Sequence, residues 1–548
     1  MTENSEQLFN LIDEPWLLVE FSDGRVRETS IRSALSRAHE LRRLHGDLPT
    51  QAFSQFRLLL ALLRRAVDGP FTRSDWVRLW TDPELPKAVL DNYFNRWFNR
   101  FFLIHPTMPF YQVAGLEKPK VRPGLSSLAE LVADLPTGVP TFTQRVITNG
   151  DGLTFSEASR WLLHVHDFDV AGIKGAAGGQ EQSALNGKVY GSHVGWGGSI
   201  GAIVVEGSTL KETLLLNLIP QDVGLIDGGP DDLPPWEREP LGPSWEQRPP
   251  HGPIDLMTWQ SRRVRLIRSG ELITGCVLTS GDRFEERNLF RMEANTSWSR
   301  STNQESKLGL SAVYLPRKFQ AGTALWRSLN AILPWTQAPQ QGSESASWLP
   351  PPVIEWVSSL VVDGILSDRA VMGTVAFGMT YGTQNAIIED VIYDVLPLPL
   401  IALEPAAAAI AVNAVESAGK AIRTLGHLAE NLARAGGGDG KGDREKALSA
   451  GWAAVDTPFR SWVAGLSSDS LDTASFDWEK LVRKIVENLG QFLIVTAGPG
   501  AFAGREIISN KSKYLMNSAI ADLKFRSDLS HSLPTTTSNN SKTQENQL

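Results

Sequence analysis

The apolar and polar positions of the first seventy residues predict a short strand, WLLVEF (16–21), a turn at Asp23-Gly24 and two helices. The second helix, QAFSQFRLLLALLRRA (51–66), is apolar nearly all round, the pattern of a buried scaffold helix closed by the basic pair Arg64 and Arg65. From Pro136 to about Gly207 glycine and proline crowd in, and only FSEASRWLLHVH (155–166) has helical periodicity. Loops this extensive in a compact domain are usually functional, and Phe142, Tyr190 and Trp196 threaded through them mark an ordered surface.

Residues 200–320 carry strand-like runs, IGAIVVEG, RRVRLIRSG and LITGCVLTSG, around a connection too rich in proline and tryptophan for regular structure, GPDDLPPWEREPLGPSWEQRPPHGP. AVMGTVAFGMTYGTQNAIIEDVIYDVLPLPL (370–400) reads as a strand, a polar turn from Gly382 to Asn385 and a second apolar segment. After it Ile410, Ala414, Ala418, Ala421, Leu425, Leu428 and Leu432 recur every three or four residues, until ARAGGGDGKGD ends the helix. Further helical stretches around 443–465, 475–496 and 510–526 complete an antiparallel four-helix bundle. The expected fold class is α+β. A large mixed N-terminal domain with short strands and long ordered loops (1–395) precedes a C-terminal four-helix bundle (396–530) and a disordered polar tail (531–548).

With 53 Lys+Arg against 61 Asp+Glu, the net charge of −8 offers no overall basic field for nucleic acid or anionic membrane. Any nucleic-acid contact is therefore local. Basic clusters stand at Arg42-Arg43, at Arg64-Arg65 and at Arg262-Arg263-Val264-Arg265, and Arg300 and Lys307 lie in a polar loop. The single cysteine, Cys276, excludes internal disulfides and cysteine-built metal sites. With no signal peptide and no long apolar span, it predicts a cytoplasmic protein without a membrane partner.

Two stretches invite chemistry. HVHDFD (His164, His166, Asp167, Asp169) has the residue types of a metal-dependent nuclease or hydrolase site. On a helix, however, two imidazoles two residues apart diverge by about 200° and cannot share an ion, whereas on a strand they share a face. NGKVYGSHVGWGG (186–198) fails as a phosphate-binding loop, because Val189 follows Gly187-Lys188 and Gln182 stands where the first glycine is required. It reads either as a connector or as backbone that lies flat against a ligand surface. No catalytic nucleophile stands out, and no cofactor is expected.

Taken in order, several stretches resemble one family, CasA, the large subunit of the type I-E CRISPR surveillance complex Cascade. They are FNLIDEPWLLVEFSDGRVRETSIRSAL, DLPTGVPTFTQRVITNGDG, NGKVYGSHVGWGGSIGAIVVEG, AVYLPRKFQAGTALWRSL and GMTYGTQNAIIED, and the likeness runs over about residues 8–530. The resemblance implies a non-catalytic subunit that reads the protospacer-adjacent motif in double-stranded DNA through the minor groove. It also implies that the subunit wedges the duplex open and recruits the helicase-nuclease. The partners it implies are the backbone, capping and small subunits of Cascade, the crRNA 5′ handle and target DNA.

Carried over by motif, Phe142, Thr143 and Gln144 match the loop that docks on the crRNA handle. Asn186, Gly187, Lys188, Val189, Tyr190, Gly191, Ser192 and His193 match the glycine loop that approaches the motif. Thr383, Gln384, Asn385 and Ala386 match the wedge, with either Gln384 or Asn385 as its amide, and the segment from Arg300 to Lys307 matches the region of a minor-groove lysine finger. Some members carry a Cys-x-x-Cys near the docking loop. LTFSEASRW has none, so the resemblance carries no metal here. Because the minor groove distinguishes mainly A·T from G·C, a glycine backbone and one cationic or amide donor imply relaxed motif choice.

Overall fold

In the computed structural model, which describes residues 6–117, 127–135, 152–180, 185–334, 346–509 and 512–534, the apolar run at 51–66 becomes a helix, Pro49–Ala66. Leu58, Leu59, Leu60, Leu62 and Leu63 are all buried. So is Arg57, only 1% exposed in the middle of that helix. Its Nη1 donates to Glu293 Oε2 at 2.8 Å, its Nη2 to the carbonyl of Leu256 at 2.9 Å and its Nε to that of Met257 at 3.3 Å. Glu293 Oε2 also accepts the indole N–H of Trp196 at 2.7 Å. A buried charge is tolerated only when it is paired and hydrogen-bonded. Arg57 meets that condition by binding segments some 200 residues away in sequence.

Two compact units emerge. One comprises residues 1–323, 339–357 and 372–395, the other 324–338, 358–371 and 396–548. In the first, the strand Leu17–Phe21 lies between Val26–Thr29 and Leu41–His45, antiparallel to both, with Gly24 at φ +77° in the predicted turn. The helix Phe155–Phe168 starts at a capping box of Thr154 and Glu157. The strand Gly172–Gly175 pairs with Lys188–Ser192, and Arg262–Ser269 forms a hairpin with Leu272–Ser280. Ala202–Glu206 pairs antiparallel with Val371–Tyr381, and Ile388–Pro399 flanks the latter on its other side. The proline- and tryptophan-rich connection is irregular apart from single turns such as the 3-10 turn Pro235–Glu237.

The second unit holds four long helices, Pro405–Gly436, Lys441–Ala464, Leu471–Thr496 and Ser518–Ser532. The first packs on the other three. Small residues set the spacing: an added Cβ would lie 2.8 Å from Ile422 at Gly451 and 2.5 Å from the ring of Phe525 at Gly490. Two segments before residue 396 join this unit, against the expectation of a contiguous N-terminal domain to 395. The first is held by Trp326, whose ring stacks 4.2 Å from that of Phe459 and whose indole N–H donates to Asp456 at 2.6 Å, and the second by contacts such as the Ser358 hydroxyl on the carbonyl of Leu403 at 3.0 Å. The helix expected over 510–526 starts instead at Ser518, after a hairpin of Arg505–Ser509 with Ser512–Met516, and it runs to Ser532, past the expected end of the bundle at 530. Ile507 and Tyr514 give that hairpin a β-branched and an aromatic residue.

Arg57→Ala would leave Glu293 buried with its charge uncompensated. The expected loss is about 3–5 kcal/mol of unfolding free energy, read by denaturant melts. A loss below about 1 kcal/mol would remove the ion pair from its organising role.

Candidate nucleic-acid interface

The glycine stretch divides into two parts with different physics. In the first part Leu185 and Lys188 exchange backbone hydrogen bonds of 2.9 and 3.1 Å across Asn186 (φ +51°) and Gly187 (φ +71°). Positive φ at both central residues is a type I′ turn, which an Asn-Gly pair favours. The following strand Lys188–Ser192 buries Val189 and Ser192 beneath it and turns Tyr190, 45% exposed, outward, with Lys188 half-buried and His193 exposed. Below, Arg262 fastens the strand by donating to the carbonyl of His193 at 2.8 Å, and Ser192 hydrogen-bonds Ser280.

The second part, Gly195 to Gly198, is packing rather than contact surface. An added Cβ at Gly195 would collide with the backbone carbonyl of Asp167, and one at Gly197 would lie 2.9 Å from the ring of Phe168. At Gly198 it would strike the hydroxyl of Tyr381, which donates to the carbonyl of Phe168 at 2.9 Å. Tyr381 ends the strand that leads into the turn at 383–386, the candidate wedge. The short helix Trp196–Ser199, which follows the glycine hairpin, and the base of the wedge therefore meet at one contact.

The ladder fixes the direction of the wedge. Phe377 pairs with Ala202, the first residue of its partner strand, so Gly378–Tyr381 run beyond that strand, and Tyr381 reaches Gly198. At the tip Ala386 N–H reaches the carbonyl of Thr383 at 3.3 Å across Gln384 (φ +57°) and Asn385 (φ +53°), again a turn with positive φ at both centres. Thr383 through Ile387 are all exposed, Ile387 at 63%. Asparagine tolerates this conformation better than glutamine, whose occupation of it stores strain.

Comparison with known proteins decides the family. The model of the CRISPR-associated protein Cse1 family matches residues 10–489. The chain belongs to the Cse1 family, the large subunits of type I-E Cascade. A CasA/Cse1 protein of Thermus thermophilus is 30% identical over 444 residues, covering 79% of each chain. The crystal structure of Thermobifida fusca Cse1 superposes with a TM-score of 0.87 at 38% identity, covering 96% of this chain and 98% of that one. Cse1 from Acidimicrobium ferrooxidans gives 0.82 at 30% identity, with coverage of 96% and 99%. Both support the mixed fold with a helical C-terminal unit.

Within this Cse1 fold the HVHDFD cluster is not a metal centre. His164, His166 and Asp167 lie in the buried last turns of the helix Phe155–Phe168, and Asp169 caps its end. His164 Nε2 meets the Thr50 hydroxyl at 2.9 Å, and His166 Nε2 donates to the carbonyl of Tyr111 at 3.0 Å. Asp169 pairs with Lys174 at 2.7 Å and with Arg262. Burial opposes the charge of Asp169, but these two cations outweigh it and hold its carboxyl below the usual range. Among the described residues no three potential ligands converge. The helical divergence of the imidazoles decides the matter, so the nuclease reading is not supported.

Of the remaining sequence-derived residues, Arg300 is occupied, donating to Glu305 at 2.7 and 3.1 Å. Lys307 is exposed on the short helix Thr302–Leu308. Phe142, Thr143 and Gln144 lie outside the described residues. Sequence reasoning missed three neighbours. Tyr381 joins the base of the wedge to the short helix after the glycine hairpin, and Arg283 sits under Gly191. Lys318 is exposed between Arg317, whose carbonyl accepts Gly201 N–H at 2.7 Å, and Phe319, whose ring flanks Gly201 and Gly378. The Arg317-Lys318 pair was the only one of these signals open to a sequence reading. Among the described residues no helix is long and apolar enough to cross a membrane.

Burial pushes His164 and His166 down to about 3. The unfolded chain therefore takes up two protons between pH 6.5 and about 3 that the folded chain refuses. Stability from these groups is complete above pH 6.5 and falls as pH drops, by up to about 1.4 kcal/mol per pH unit per imidazole. Asp167, pushed up by burial from 3.8 to about 6, opposes this over its own window. In His166→Gln the slope of unfolding free energy between pH 6.5 and 4 should flatten by one imidazole's share; an unchanged slope would refute the neutral buried imidazole. Gln384→Gly should raise stability by about 1 kcal/mol by relieving the left-handed strain, and a destabilised variant would show that the turn carries none.

Proposed function

We propose that this Cascade subunit reads the protospacer-adjacent motif of duplex DNA from the minor groove and starts strand separation, acting as a recognition surface rather than a catalyst. One observation carries the reading: the glycine hairpin and the wedge hairpin each end in a solvent-facing turn, and Tyr381 at the base of the wedge packs on Phe168 and on Gly198 of the short helix that follows the glycine hairpin. The hairpin Asn186–His193 would lie along the groove, with Lys188 and Tyr190 presented to it. Gln384 and Asn385 would enter beside the motif, backed by the exposed Ile387. Inserting such a wedge costs a few kcal/mol of unstacking per step, which pairing of the guide with the target strand offsets. Lys307 and Lys318 are the exposed cations for the finger role that Arg300, held by Glu305, is poorly placed to fill. Glu389, Asp390 and Asp394 on the returning strand repel phosphates and confine contact to the tip. In this reading the FTQ segment 142–144 docks on the crRNA 5′ handle, and the assembled subunit recruits the helicase-nuclease.

The test is binding of the reconstituted complex to guide-matched duplexes with and without the motif. Asn385→Ala should lower affinity for the motif-bearing duplex by about 1–3 kcal/mol, a factor of about 5 to 150, while assembly stays intact. Equal binding of both duplexes by the unaltered complex would sink the proposal.

A further inference from the structure

Arg283 stands apart from the other arginines beneath the glycine hairpin. Arg262 is neutralised by Asp169, Arg263 by Asp282 at 2.5 Å and Arg248 by Asp255 at 2.5 Å. Arg283 has no carboxylate partner among the described residues, and its Nε and Nη2 are buried without an acceptor. Its guanidinium lies 3.8 Å from the ring centroid of Trp245, whose indole Nε1 is likewise buried without an acceptor. The main chain beneath is fixed, with Arg283 N–H on the carbonyl of Glu246 and Arg248 N–H on that of Arg283, each at 2.9 Å. Nη1 comes within 3.2 Å of where a Cβ on Gly191 would stand.

Guanidinium and indole nitrogens only donate, and buried donors normally find acceptors. A cluster of unmet donors held by stacking instead of by a carboxylate is thus set for an incoming acceptor with negative charge. The adjoining cavity, lined by His193, Arg262, Arg283 and Glu286 together with apolar side chains such as Trp259 and Phe284, has a volume of about 30 Å³. That is room for one oxygen atom rather than a whole anion. Both nearby carboxylates are engaged, Asp282 by Arg263 and Glu286 by the Ser199 hydroxyl at 2.6 Å.

We infer that Arg283, stacked on Trp245 under Gly191, is a clamp for a phosphodiester oxygen of the duplex whose groove the glycine hairpin enters. The inference rests on the DNA-binding reading of that hairpin and adds to it a contact that positions without reading sequence. Phosphates flank any groove that the outward face of Tyr190 and His193 meets, which favours nucleic acid over an acidic peptide. A planar, permanently charged fork is suited to two phosphate oxygens or to one oxygen beside a second donor.

The experiment measures affinity of the reconstituted complex for guide-matched duplex across about 50 to 300 mM salt. With Arg283→Ala the slope of log affinity against log salt should shrink by about 1. The loss should be equal on motif-bearing and motif-lacking duplexes, because phosphate contacts carry no sequence information. Arg283→Lys should restore the slope but only part of the affinity, and Trp245→Phe should weaken binding with the slope intact. An Arg283→Ala complex with an unchanged slope overturns the clamp. So does failure of that variant to assemble when the Arg283→Lys complex assembles with the parent's full affinity and Trp245→Phe binds as the parent does, a pattern that assigns the cluster to structure or to an acidic protein surface. Should motif discrimination prove absent while Arg283→Ala still lowers the slope, the motif reading fails and the clamp stands.

Discussion

A guanidinium buried in an apolar helix constrains the first unit. Arg57 is buried in a helix whose leucines are buried too, so its charge must be matched by groups brought from elsewhere. Glu293 provides the countercharge, Leu256 and Met257 provide carbonyls, and Asp167 lies 3.9 Å away. Glu293 in turn holds Trp196, the residue at which the glycine hairpin becomes the short helix against Tyr381. The scaffold helix, the connection around residue 256 and the segment that carries the glycine hairpin are thus tied by one network. A low dielectric makes such a network strong when complete and costly when broken.

From that anchor the site follows by close approach. Glycines at 195 and 197 let backbone press on the end of the helix Phe155–Phe168, and Gly198 lets it press on Tyr381, where any Cβ would collide. This places the base of the wedge beside the end of the hairpin and leaves both turns facing solvent. The acidic net charge and the local site are reconciled by pairing: Arg262, Arg263, Arg248 and Arg300 are consumed in internal ion pairs. Most basic clusters in the sequence are structural.

Legibility differed by type of signal. The scaffold helix, the hairpin at 262–280 and the wedge strands were readable because a period of 3.6 or 2 is local. The helix at 155–168 was readable too, and its geometry alone separated the two imidazoles. The hairpin at 505–516 was lost because a short strand pair beside a helix start blurs into one apolar stretch. The membership of Trp326 in the helical unit was invisible, since its partners Asp456 and Phe459 lie more than a hundred residues on.

By itself the sequence determined the mixed class, the main helices, the polar turn at 382–385 and the family, all encoded in residue order and spacing. Tertiary structure alone decided which glycines serve packing and which serve the surface, that His164 and His166 are buried and neutral, that Arg300 is taken and that Arg283 is not. The reason is physical: burial, pairing and close approach depend on residues distant in the chain, and no local pattern records which charge will meet which partner.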